Sequence, residues 1–91
     1  MTSKEARLHP KKLDFKKYQE GRKNAISGYA ILKDGIVLKY QDTPYYYLYT
    51  FMMPGIEHVE QMITRAENGQ KLNTYVSQNV KDSYDDKWIR D

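Results

Sequence analysis

Residues Ile26 to Gln41 read "ISGYAILKDGIVLKYQ", two β-rich runs joined by Asp34-Gly35. Asp-Gly between alternating apolar runs is the strongest short hairpin signal, because a two-residue type I′ turn needs positive φ at both central positions. With Asp34 and Gly35 as the loop, Leu38 lies opposite Ile31 and Tyr40 opposite Tyr29. One sheet face then carries Tyr29, Ile31, Ile36, Leu38 and Tyr40. The other holds Ala30, Leu32, Val37, Lys39 and Gln41, a mixed set that reads as partly exposed or covered by something else.

Beyond this hairpin, "DTPYYYLYTFMMPG" (Asp42 to Gly55) packs four of the nine tyrosines into Tyr45 to Tyr49. Asp42 and Pro44 mark a turn, and the run after it is a third strand. Period 2 puts Tyr45, Tyr47, Tyr49 and Phe51 on one face and Tyr46, Leu48 and Thr50 on the other. Turn length sets the register, so which face is buried stays open. From Pro54 the spacing becomes helical: Ile56, Val59, Ile63 and Ala66 form one stripe, and Asn68-Gly69 is a credible C-cap. A second short helix starts near Asn73 as its cap and runs through Tyr75, Val76 and Val80, blurring into "DSYDDKWIRD". The expected fold class is α+β: a three-stranded antiparallel meander followed by two helices packed on one face, with a basic N-terminal arm.

That arm, residues 1–24, carries eight basic residues against three acidic ones, a net +5, whereas residues 25–91 carry seven against nine, a net −2. Its apolar residues follow neither period, so it reads as loop with a helical turn or two after Pro10. A basic arm on a mildly acidic domain suits an anionic partner, although a merely solvated tail has the same composition.

Several function classes drop out. Without cysteine there is no disulfide, thiolate metal site or cysteine nucleophile, which fits a cytoplasmic protein. No run is long enough to span a membrane. His9 and His58 have no metal-spaced partner, and His58 is expected on the solvated side of its helix. Asp82, Asp85 and Asp86 lack the alternating ligands and glycine of a calcium loop. Ser77 and Ser83 have no histidine at a readable spacing, and the five glycines are scattered singly. No catalytic residue, metal or cofactor is expected, and the chain reads as a non-enzyme. Leu, Ile, Val and Phe number only 18, so tyrosine and methionine must supply part of the core.

Residues 26–84 resemble the KTSC domain, a small module found alone in bacterial and phage proteins and at the C-terminus of some lysyl-tRNA synthetases. Gly28-Tyr29 matches its first-strand motif and Tyr47-Leu48-Tyr49 its central Y-x-Y. Ala66 and Gly69 match its helix end, and Leu72, Asn73 and Val76 the run that follows. The family's glycine before Y-x-Y is missing, and its Val-Pro is displaced to around "MMPG". The resemblance implies RNA binding without a settled activity.

The expected ligand is therefore phosphate-bearing, RNA or a free nucleotide. Tyr46, Tyr47 and Tyr49 would supply stacking, and Lys39, Lys33, Lys16, Lys17, Arg22 and Lys23 charge. Tyr47 and Tyr49 serve equally well as core beneath the helix, in which case Tyr46 is on the open side. The alternative is a phage-type accessory protein that inhibits a host defence or metabolic factor, masking a protein surface or sequestering a nucleotide signal. Unpaired sheet edges and surplus aromatics also predict a homo-oligomer.

Overall fold

The structure is a computed structural model that describes residues 1–18 and 25–89. Its centre is an antiparallel sheet with strand order β1-β2-β3-β4-β5. The expected meander forms its middle as β2 (Ile26–Leu32), β3 (Gly35–Tyr40) and β4 (Tyr45–Thr50). Two further strands flank it: β1 (Lys16–Lys17) pairs with β2, and β5 (Asp86–Ile89) pairs with β4.

The two faces of the hairpin are those the alternation predicts, but the loop residues are Lys33 and Asp34, and Leu32 pairs with Gly35. Neither loop residue has positive φ, so the turn is not type I′. Tertiary contacts explain the offset. Asp34 gives its carbonyl to the Phe51 N–H at 2.9 Å and its carboxylate to the Ser3 N–H and hydroxyl at 2.7 and 2.5 Å. Gly35 begins β3, opposite Leu32 and Thr50, where a Cβ would overlap the Tyr49 carbonyl oxygen of β4, so the close strand approach there requires glycine.

Behind one face lie α2 (Ile56–Asn68), α3 (Leu72–Tyr75) and a π-helical turn over Val76–Val80. Val59, Met62, Ala66, Leu72, Val76 and Val80 bury against Ile26, Tyr29, Ile36, Leu38 and Tyr49. The predicted stripe holds for Val59, Ala66 and the half-buried Ile63, while Ile56 is exposed and Met62 takes its place. Helix α2 ends at Gly69 in the left-handed conformation, as the Asn68-Gly69 signal predicts. Asn73 does not cap the next helix; Lys71 occupies that position, and the Asn73 amide oxygen accepts the Ile26 N–H at 2.9 Å, tying α3 to the start of β2. A second tie joins the Leu72 N–H to the Tyr18 hydroxyl at 3.0 Å.

The other face is covered by the N-terminal segment, where helix α1 (Ser3–Leu8) precedes a 3-10 turn at Pro10–Lys12. Ala6 of α1 is fully buried with Ala30, Leu32, Val37 and Leu48, and Met1, Leu13 and Phe15 pack around them. Besides the Ser3 bonds, Met1 accepts from the Lys33 N–H at 2.9 Å, and Arg7 pairs with Asp85 at 3.0 Å and Asp86 at 3.6 Å, holding the segment in place. Residues 1–15 are thus sheet cover and Lys16–Lys17 an edge strand, rather than the loose arm expected, and the mixed face of the hairpin is mixed because Met1, Ala6, Leu13 and Phe15 pack on it. The boundary expected at residue 24 lies outside the described residues.

Candidate functional site

The register aligns one residue from every strand. Lys17, Gly28, Lys39, Tyr46 and Trp88 are successive cross-strand partners, so they share the α1 face of the sheet. Gly28 matters here for its missing side chain: a Cβ would meet the Lys39 Cε at 2.7 Å and the Lys16 carbonyl oxygen at 3.1 Å. The Lys39 stem fills that space, and its Nζ lies 4.8 Å from the centre of the Phe15 ring. Phe15 in turn packs on Tyr46 at 4.7 Å, and Tyr46 meets Trp88 edge-on at 6.3 Å. A two-lysine, three-ring surface results, formed from both ends of the chain and the middle of the sheet.

Of the predicted ligand residues, Tyr46, Lys39 and Lys17 come together here. Tyr46 is not on an open side, however; it is half-buried between Phe15 and Trp88. Lys16 pairs with Tyr29 and so belongs to the opposite face. Lys33 sits exposed in the hairpin turn at the far end of β2. Tyr47 and Tyr49 lie on the helix face, and Arg22 and Lys23 lie outside the described residues.

On the helix face, a cleft of about 390 Å³ opens between the ends of β3 and β4 and the segment leading into β5. Tyr40, Tyr47, Tyr49 and Tyr84 line it with Lys81 and Lys87, together with the exposed Asp42 and Asp82. Tyr47 is the hub, edge-to-face with Tyr40 at 5.5 Å and with Tyr84 at 5.2 Å. The Lys87 ammonium lies 4.7 Å from the Tyr45 ring centre and 5.7 Å from that of Tyr84. Tyr49 donates its hydroxyl to the Lys81 carbonyl at 3.4 Å. Sequence reading missed Lys87 because β5 is only four residues long, with the alternation in Asp86 to Ile89 as its only signal, and it missed Lys81 and Tyr84 because the connection before β5 has no period.

Burial, reinforced by the neighbouring Tyr47 phenol, pushes the Tyr40 hydroxyl up to about 12. Burial likewise raises Tyr49. Both phenols therefore keep their protons above the ordinary tyrosine range. In the unfolded chain these phenols ionise near 10.0, whereas Tyr40 in the fold holds its proton to about 12. The folded state binds more protons across that window, so stability is full below 10 and is lost as pH rises toward about 12. Denaturant midpoints measured along an alkaline series should fall within this window, and Tyr40→Phe should flatten the fall. A midpoint that does not change with pH would contradict the burial of these phenols.

Other predicted residues have structural partners. His58, expected to be solvated, is half-buried, with its Nδ1 2.8 Å from the Tyr75 hydroxyl, so it links α2 to α3. Asp85, expected in a solvated acidic end, accepts the Thr50 hydroxyl at 2.7 Å as well as pairing with Arg7. Among the described residues no group of three or more histidine, aspartate or glutamate side chains is placed to hold a metal ion. No described helix is long and apolar enough to cross a membrane. Comparison with family models, with characterised proteins and with solved structures returned no match.

Proposed function

We propose that this chain is a non-enzymatic, KTSC-like binding module whose ligand is single-stranded RNA, laid along the partly exposed cross-strand row on the α1 face of the sheet. The observation that carries this reading is the cross-strand row Lys17, Gly28, Lys39, Tyr46, Trp88. Four interstrand spacings give it a span of roughly 19 Å, more than one nucleotide occupies. Its chemistry changes along its length. Ammonium groups for phosphates stand at one end and aromatic rings for bases at the other, the pairing that single-strand binders use. Lys12 adds an exposed ammonium in the 3-10 turn that precedes β1 in the chain. A polymer suits this row better than a single nucleotide, because the row crosses all five strands and its rings are half-buried at the surface rather than gathered around a cavity.

The test is fluorescence anisotropy with a labelled single-stranded RNA at two salt concentrations. The double variant Lys17→Gln/Lys39→Gln should weaken binding by roughly tenfold and lower the log–log salt slope by about 1.4, two single-strand phosphate contacts' worth. Trp88 is the only tryptophan, so its emission should change on binding. The RNA should be recovered at full length. An affinity and salt slope untouched by the double variant would overturn the reading.

A further inference from the structure

The tyrosine cleft lies on the opposite face of the sheet from the row and has a different shape and charge. We propose that it is a second, independent binding site, for a free nucleoside monophosphate. Three kinds of group converge on a volume of about 390 Å³, at the small end of ligand sites generally. Lys81 and Lys87 offer ammonium groups to a phosphate. Lys87 makes no ion pair among the described residues and is instead held between the Tyr45 and Tyr84 ring faces. An ammonium placed this way keeps its charge available for an anion at the cleft mouth.

Asp42 and Asp82 supply the second group, since carboxylates are well suited to accept ribose hydroxyls. They also make the cleft electrically balanced, with two lysines against two aspartates. A bare anion gains little from such a site. A ligand carrying both an anion and hydroxyl donors satisfies all four charges. The third group is aromatic. Tyr84 and Tyr40 each contact Tyr47 edge-to-face, and they border a space where a base can pack on a ring. The cleft's size favours a monomer over a strand.

The test is calorimetric titration of the full-length chain with adenosine monophosphate, adenosine and ribose 5-phosphate. Adenosine monophosphate should bind tightest, with loss of phosphate or base each weakening binding by about tenfold. Lys81→Gln and Lys87→Gln, both exposed substitutions that leave the core intact, should each weaken the monophosphate about fivefold or more while leaving adenosine unchanged. Lys39→Gln, on the other face, should not affect the monophosphate, and Trp88 emission should stay constant. The proposal is overturned if none of the three ligands binds, or if adenosine binds as tightly as the monophosphate. It is equally overturned if monophosphate binding survives both cleft substitutions or is lost with Lys39→Gln. Failure of RNA to bind the row would leave all of these readouts intact, so the two proposals are judged separately.

Discussion

Deleting residues 1–15 is expected to abolish cooperative folding. Composition marks this segment as a detachable basic arm, and on that reading its loss costs only charge. In the structure its removal uncovers Leu32, Val37, Leu48 and Ala30, now all buried, along the α1 face. Each large aliphatic side chain loses about 1.5–3 kcal/mol of burial, and a small domain has only about 5–15 kcal/mol in total. The Ser3 bonds to Asp34 and the Arg7 pairs to Asp85 and Asp86 would go as well, freeing the hairpin turn and β5. The truncated chain should show no sharp denaturant transition by circular dichroism, and it should associate by light scattering, because an uncovered apolar sheet face invites partners. A truncated monomer that unfolds at the full-length midpoint would show that the segment is dispensable. The milder variant Ala6→Asp should move in the same direction, since it places a charge at a fully buried position.

The second large effect divides the tyrosine run. Tyr49 is 1% exposed beneath α2 and the π turn, so Tyr49→Ala should cost about 3–5 kcal/mol by urea denaturation. Tyr49→Phe keeps the ring and loses only the hydroxyl bond to the Lys81 carbonyl, a cost of about 1 kcal/mol. Tyr46→Ala removes a half-buried ring and its contacts with Phe15 and Trp88, and ring pairs of this kind contribute about 0.5–1.5 kcal/mol each beyond burial. Tyr47→Ala should fall between these two, given its contacts with Tyr40 and Tyr84. Equal losses at Tyr46 and Tyr49 would contradict the burial difference between the two faces. Within one strand, then, the tyrosines do separate work: Tyr49 closes the core, Tyr47 walls the cleft, and Tyr46 joins the row on the opposite face.

Much of this fold is determined by the sequence alone. Alternation from Ile26 to Leu38 and again from Tyr45 to Thr50 dictates a meander, and the spacing of Val59, Ile63 and Ala66 dictates the helix behind it. These are local periods, set by where successive side chains point, and they need no partner to be read. The hairpin loop lies one position earlier than Asp34-Gly35 suggests, which moves the cross-strand partners by two residues. An even shift keeps each side chain from Gly28 onward on its face, so those faces were legible even though the partners were not; the bulge between Ile26 and Gly28, which turns Ile26 to the helix face, was not.

What tertiary structure alone decided is the cover of the second face and the composition of both candidate sites. A six-residue helix such as α1 buries one alanine and shows no stripe, and a two-residue β1 or four-residue β5 is too short to show a period. Such segments take their form from what they pack against, not from their own propensities. Lys17, Lys39, Tyr46 and Trp88 stand 71 residues apart along the chain at their extremes, and only the strand pairing brings them into one row. The same register sends Tyr46 and Tyr47, identical neighbours in sequence, to opposite sides of the sheet, because a pleated strand alternates its side chains and the rest of the fold determines what each side meets.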